Sequence, residues 1–529
     1  VYAMSTYNTI TSLSESKTNE NVLYAGTDDG IIQYTRDGGD NWSKMTVDEL
    51  PEVPTSAFVN DIKVDLHDDN IAYVALDNHK FGDYSPYLYK TINGGKKWKP
   101  IVNGLPDGTL VWRLVQDHVN PNLLFLGTEY GVYVSLNQGD KWHKFSNGLP
   151  TISIRDLAIQ KRENDLVLAT FGRSFYVLDD YSPLRDMTED NLNKEAFLFS
   201  TRKALQYNQI MGGSGSSGGS TYVAENPKYG ATITYHLSET PHVSLKEKRQ
   251  KMERKLKDSD IPFPGWEALD REISEAKVEA ILMITDSNGN LVDQISGPLR
   301  KGTHRVTWSL RTSKSTTVNV AQSSSSRGSW GRRSGGMVSP VDPGLYQVTL
   351  YKRVGGNLTK LSDPVSLEVE RIRENVLTNP KADKHKEYSI ALAELTTSIN
   401  KSSHVFMKAM ARVATYERNL NQVKNNKEEL TRSVYKLREK MIALDREFTG
   451  SAAKAEIGEK DRLNLMDRLM KARGGWYPNS YGPTELHMQS FEIAQQMYER
   501  SKPKINEFIK EVNKLGKLLE DAGGPIFLD

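Results

Sequence analysis

Four short apolar runs recur through the first third of the chain: Asn21–Thr27, Asn70–Leu76, Asn122–Thr128 and Asn164–Thr170. Their length and their Val, Leu, Tyr and Phe content predict β-strands. Segments 59–64, 111–115 and 152–159 sit at matching places ahead of the last three runs and predict an inner strand for each. An eight-residue box follows the first three runs. It reads Thr35-Arg36-Asp37-Gly38-Gly39-Asp40-Asn41-Trp42, then Thr91-Ile92-Asn93-Gly94-Gly95-Lys96-Lys97-Trp98, then Ser135-Leu136-Asn137-Gln138-Gly139-Asp140-Lys141-Trp142. The fourth run continues through Phe171–Asp180 without a box. Recurrence at this spacing predicts a repeat architecture, and residues 1–182 are read as the C-terminal blades of a β-propeller.

The pattern then changes twice. Residues 183–224 read as a linker, with a flexible Gly/Ser composition at 211–220. Residues 225–371 predict a β-sandwich, immunoglobulin- or fibronectin-like, with candidate strands at 231–237, 278–285, 291–295, 304–310, 344–351 and 365–369. Ser287-Asn288-Gly289-Asn290 and Asp342-Pro343-Gly344 are turn signals. Two insertions, 240–276 and 313–340, interrupt it. The first carries a charged stretch, 246–257, that predicts a solvated helix. The second holds a serine run with Arg327, Arg332 and Arg333 and reads as a solvated loop. From 383 to 529 the apolar period becomes helical. One stripe is Ile390, Leu392, Leu395, Ile399, Val405, Met410, Val413 and Leu420; a second is Leu430, Val434, Leu437, Met441 and Leu444. The third runs from Phe491 to Leu519, with Pro503 a predicted kink or break. The expected fold is therefore multidomain and mainly β: propeller blades, a β-sandwich, then a C-terminal α-helical bundle.

The box chemistry is structural. Asp or Asn folds a turn onto its own backbone N–H groups. The glycine takes a left-handed angle, and the Trp is expected to plug the gap between neighbouring sheets. The chain has 529 residues, enough for about three domains. Its net charge of +2 gives no electrostatic argument for nucleic acid. It has no cysteine, which excludes disulfides, thiol catalysis and thiolate metal sites. No run approaches the roughly 18 consecutive apolar residues that cross a bilayer. Val1 is not an initiator and no signal peptide follows it. Four blades is the lower end of propeller size, so the chain is expected to be the C-terminal part of a longer polypeptide.

Candidate chemistry concentrates at the inner-strand ends. Asp61 and Asp156, with Asp28, Asp29 and Asp117 near them in sequence, are the carboxylates from which a glycosidase pair would be drawn. Arg113, Arg155 and Arg173 come from successive blades and are candidates for a carboxylate-binding cluster. Trp112 and Tyr130 are candidate sugar platforms. No catalytic residue is assigned; Asp61, Trp112, Arg113, Arg155, Asp156 and Arg173 are candidate binding residues of a propeller face. The histidines form no metal-ligand pair, and Asp28-Asp29 and His67-Asp68-Asp69-Asn70 match no calcium loop. No P-loop or dinucleotide fingerprint is present, so neither a cofactor nor a metal is expected.

Together with the boxes, Thr170–Asp180, Glu225–Ala231, Gly482–Leu486 and Asp521–Ile526 give the chain a family likeness. It resembles the large bacterial Asp-box (neuraminidase-repeat) propeller proteins labelled sortilin-like or glycosyl hydrolase-like and common in Bacteroidetes. The resemblance implies a propeller followed by a β-sandwich and a helical region. It also implies a periplasmic, outer-membrane-associated or extracellular location. The chain departs from the group in its boxless fourth blade and its two insertions. The favoured expectation is a non-catalytic receptor-like or scaffold subunit of an envelope assembly, with protein partners. The alternative is a glycoside hydrolase or carbohydrate-binding protein acting on extracellular polysaccharide.

Overall fold

The computed structural model describes residues 9–207, 224–256, 260–312, 340–372, 382–474 and 482–527. They fall into two compact units: residues up to 204 with 217–309 and 344–368, and residues 369–529 with 205–216 and 310–343.

The first unit opens with four consecutive antiparallel meanders, the blade unit of a propeller. Blade one holds β1 (Ile10–Glu15), β2 (Leu23–Thr27), β3 (Ile31–Thr35) and β4 (Ser43–Thr46). Blade two holds β5 (Phe58–Val64), β6 (Ala72–Asn78), β7 (Asp83–Thr91) and β8 (Trp98–Pro100). Blade three holds β9 (Val111–Gln116), β10 (Leu124–Thr128), β11 (Gly131–Ser135) and β12 (His143–Phe145). Blade four has only β13 (Ile154–Gln160), β14 (Asp165–Thr170) and β15 (Phe175–Leu178). The first strands pack in chain order: β1 on β5, β5 on β9, β9 on β13.

Each first strand carries a β-bulge at one matching place. The register slips between Ile10 and Ser12, Val59 and Asp61, Arg113 and Val111, and Ile154 and Asp156. Thr11, Asn60, Trp112 and Arg155 are thus the extra residues, each re-aimed by the bulge. The second strands carry a small residue where the next blade comes closest. A Cβ on Gly26 would lie 2.4 Å from the Val59 side chain, and one on Gly127 would lie 2.9 Å from the Ile154 carbonyl.

The boxes form one hydrogen-bonded turn three times. Oδ1 of Asp37, Asn93 and Asn137 accepts the N–H of Asn41, Lys97 and Lys141, each at 2.9 Å. The Thr35, Thr91 and Ser135 hydroxyls accept the Gly39, Gly95 and Gly139 N–H at 3.0, 3.1 and 2.9 Å. The tryptophans differ, which corrects the expectation of three plugs. Trp142 is buried and donates to the Ile101 carbonyl at 2.8 Å. Trp98 is half-buried against Tyr24. Trp42 is exposed. A box tryptophan lands on the preceding blade, and no described blade precedes the first.

The stretch read as a linker from residue 183 holds α1 (Glu189–Asn193), β16 (Ala196–Leu198) and β17 (Ala204–Gln206). The Gly/Ser run at 211–220 lies outside the described residues. The remaining strands are β18 (Ala231–Leu237), β19 (Glu279–Asp286), β20 (Leu291–Gly297), β21 (Gly302–Trp308), β22 (Gly344–Val354), β23 (Asn357–Lys360) and β24 (Val365–Arg371). They form two sheets, β16-β18-β21 and β17-β24-β22-β19-β20, with β23 beside β22; the first sheet, β22-β19-β20 and β22-β23 pair antiparallel. The two sheets touch through Trp308, whose ring lies 5.4 Å from that of Tyr346 and whose Nε1–H donates to Asp293 at 3.0 Å. The charged insertion contains α2 (Leu245–Lys255) and α3 (Trp266–Ser274), clasped by Arg249 on Glu272 at 2.6 Å. The serine-rich insertion lies outside the described residues. Arg305 of β21 donates to the Asp179 and Asp180 carbonyls, tying this region to blade four.

The second unit is helical: α4 (Ala382–Asn419), α5 (Lys427–Thr449), α6 (Ala452–Glu456), α7 (Leu465–Gly474) and α8 (Glu485–Asp521). Leu392, Leu395, Ile399, Phe406, Val413 and Tyr416 of α4 meet α5, α7 and α8 in one core. Ile390 and Val405, assigned to the stripe from sequence, are exposed instead. α7, which the three stripes did not include, contributes Leu465, Leu469 and Ala472. Helix α8 runs unbroken through Pro503, so no break occurs there. Pro503 and Glu499, whose carbonyl the proline leaves without its helical donor, both face solvent.

Candidate functional face at the blade ends

In an antiparallel meander the start of the first strand lies beside the end of the second. One end of the blades therefore gathers the bulges and the loops joining second to third strands. The boxes occupy the opposite end.

At the bulge end, side chains from blades two, three and four form a continuous ladder. Lys80 Nζ lies 4.7 Å from the Phe58 ring centroid, Phe58 is 6.4 Å from His79, and His79 is 6.0 Å edge-on to Trp112. The Arg155 guanidinium covers Trp112 at 3.8 Å and reaches toward Phe171 at 5.5 Å. Glu129 anchors the centre. Its Oε2 accepts from Trp112 Nε1 at 2.9 Å and from Ser153 Oγ at 2.8 Å, with Arg155 at 3.7 Å. Asp77 holds His79 through the backbone N–H at 2.8 Å and Nδ1 at 2.5 Å. Tyr130, Phe81, Tyr84 and Phe171 stand exposed around it. Beside Tyr130 lies an open cleft of about 280 Å³ lined by Lys144, Phe145, Leu149 and Pro150.

Just beyond the bulge, one position per blade forms an ionic row: Ser12, Asp61, Arg113 and Asp156. Ser12 Oγ donates to Asp61 at 3.2 Å. Asp61 also accepts the Leu114 N–H at 3.1 Å and meets Arg113 at 3.8 Å. Arg113 donates to the Asn60 carbonyl and reaches Asp156 at 3.9 Å. Asp61 is 2 % exposed. Burial raises its carboxyl, opposed by Lys63, the Leu114 N–H and Arg113. It is a bracket between blades.

The structure thus sorts the sequence candidates. Asp61 and Arg113 are internal ties, Asp156 is an exposed end of that row, and Trp112 is a half-buried rung covered by Arg155. Arg113 and Arg155 are each turned to protein carboxylates, and Arg173 stands exposed on the loop after β14. Asp28 accepts the Thr9 N–H and Asp29 the Thr27 hydroxyl. Asp117 belongs to the box end. Burial alone would raise its carboxyl, but the Arg185 fork at 2.8 Å, the Tyr181 hydroxyl and the Asn120 N–H hold it below the ordinary range. Asp77, His79, Glu129 and Phe171 were missed from sequence. Their only signal was their place at second-strand ends, one to three residues past each apolar run.

A cleft of about 720 Å³ in the helical unit is lined by Arg446, Glu447, Lys454 and Asp461. Lys454 pairs with Asp461 there at 3.1 Å, and Lys504 with Glu447 at 2.6 Å.

Among known proteins, no family matches the chain, and no curated protein sequence matches it. Solved structures give partial likenesses. YCF48 from Cyanidioschyzon merolae is 16% identical over 33% of this chain and 57% of its own, with a TM-score of 0.25. The GH74 xyloglucanase from Xanthomonas campestris is 13% identical over 33% and 31%, at 0.26. An ancestral GH74 enzyme is 14% identical over 69% and 41%, at 0.28. The chain spans less than two thirds of each of these proteins, and at these TM-scores its function must be argued from its own residues.

Proposed function

We propose that the chain is a non-catalytic binding or accessory protein of the bacterial cell envelope, one that offers the bulge end of its blades to a protein partner. The ladder Lys80, Phe58, His79, Trp112, Arg155 and Phe171 carries this reading. It presents aromatic edges and a stacked guanidinium, the side chains that dominate protein recognition. The carboxylates along it are engaged: Asp61 by the Leu114 N–H, Glu129 by Trp112 and Ser153, Asp77 by His79. Glycoside hydrolysis needs two carboxylates facing a scissile bond, and among the carboxylates of the ladder and the ionic row only Asp156 stands exposed.

The finer assignments are part of the same proposal. The threefold box turn supports membership of the Asp-box, sortilin-like group. The Trp308 contacts support reading 225–371 as a sandwich. A periplasmic, outer-membrane-associated or extracellular site rests on the resemblance alone. Among the described residues no helix is long and apolar enough to cross a membrane. The carbohydrate alternative is favoured by one observation, the exposed Tyr130 ring beside its cleft.

The test is a native pull-down from gently solubilised membranes of the source, run in parallel with Arg155→Ala and Phe171→Ala. A stoichiometric protein set lost in both variants is the expected result. Binding or turnover of a polysaccharide that disappears with Tyr130→Ala, and no such protein set, would overturn it in favour of the alternative.

A further inference from the structure

Each internal seam between blades uses the same two sets of side chains. The arriving blade brings two apolar residues of its first strand and, where it has one, its box tryptophan. These are Val59, Ile62 and Trp98 at the first seam and Val111, Leu114 and Trp142 at the second. Ile154 and Leu157 arrive at the third. The receiving blade offers its second and third strands, as Phe125, Val132 and Val134 do at the third seam.

Both sets recur at the outer ends of the four-blade row. The shared bulge aligns Ile10 and Leu13 of β1 with the arriving pairs. Those six internal residues are at most 5% exposed, while Ile10 is 61% and Leu13 60% exposed. Trp42, the matching box tryptophan, is exposed as well. At the far end, Phe175 pairs with Ala169 and Val177 with Val167, as Val132 pairs with Gly127 and Val134 with Phe125. Val132 and Val134 are buried, but Phe175 is 69% and Val177 53% exposed. Ala169 keeps a small side chain where Gly26 and Gly127 admit the next blade's first strand. Single exposed apolar residues are ordinary. A complete arriving set at one end and a receiving set at the other are two halves of a seam.

We propose that further four-stranded blades of this type, carried by the same polypeptide ahead of β1, dock on both faces and close the ring. Their occupancy follows from continuity with the three internal seams. Each blade here leads from its outer strand directly to the next blade's first strand, so the blade that seats on Ile10 and Leu13 immediately precedes β1. The earliest of the set places its first strand on Phe175 and Val177. Propellers of four to eight blades leave room for up to about four more. The ring then presents the face described above as one sector of a closed rim.

The test places a photo-crosslinking amino acid at Leu13 or Val177 of the natural protein in its source cells and identifies the linked peptides. Both positions are expected to link, within one polypeptide, to strands ahead of Val1 that carry the run-and-box pattern. The denatured native chain is then heavier than 59.6 kDa. Leu13 linked to the Phe175–Val177 strand of another molecule would overturn the proposal in favour of a second copy. Linkage to lipid, glycan or a protein without such strands would overturn it as well. So would two unlinked positions in a chain of 59.6 kDa.

Discussion

Asp37, Asn93 and Asn137 hold one position in three turns and accept the same hydrogen bonds, yet only Asp37 titrates. The Asn41 N–H and amide, with the Thr35 hydroxyl, hold its carboxyl at about 2. A depressed carboxylate adds stability above its unfolded value and loses it as pH falls through the folded one. Asp37→Asn is therefore expected to keep the fold. Its stability gap to the native protein, measured by denaturant unfolding, should close as pH drops from about 4 to about 2. The hydroxyl of the box matters more. Ser135 is fully buried and satisfies the Gly139 N–H, so Ser135→Ala should cost about 1–3 kcal/mol by the same unfolding measurement. These turns were legible in the sequence because every partner lies within four residues. The fate of Trp42 was not, because a neighbouring blade decides it.

Elements reveal what residue types conceal. Arg185 forks onto Asp117 beside Tyr181, fixing the segment after blade four to blade three. Arg185→Ala strands a buried carboxylate and should destabilise the β unit by about 3–5 kcal/mol. With the clamp intact, stability is present above the ordinary carboxylate value and falls as pH drops through the lowered Asp117 value, so the variant's acid unfolding profile should be flatter. Gly127→Val drives a side chain into the Ile154 carbonyl and should cost at least about 1–3 kcal/mol in thermal unfolding. The first and second strands could be read from apolar runs. The ladder could not, because Glu129, Ser153 and Arg155 meet only through the packing of β13 on β9. The helical stripes were readable in period but misplaced at Ile390 and Val405, where apolar side chains occupy the solvent side of α4. Pro503 fails to break α8 because solvent receives the orphaned carbonyl. Pro503→Ala should raise the melting temperature of the helical unit.

At the scale of the whole molecule, the two units carry separate cores, one drawn from seams between blades and one from four helices. Calorimetry is expected to show two unfolding transitions. A fragment spanning residues 382–529 should retain a helical circular dichroism spectrum, and loss of helicity would show that its core needs the rest of the chain. The order of β repeats, strands and helices was visible in the changing apolar period; the extra strands β16 and β17 were not, being too short to show a period. The recurring bulge has a consequence for how such a protein changes over generations. Ile10, Val59, Val111 and Ile154 keep one aliphatic character along the scaffold, while the neighbouring extra residues are Thr11, Asn60, Trp112 and Arg155. Hydroxyl, amide, indole and guanidinium occupy the same slot; Thr11 and Asn60 use it to bond the Val59 and Val111 carbonyls of the next blade, while Trp112 and Arg155 turn it into rungs of the exposed face. Lineages descended from one such scaffold can therefore convert a tie between blades into a recognition rung one slot at a time, as letters are exchanged in a fixed line of type.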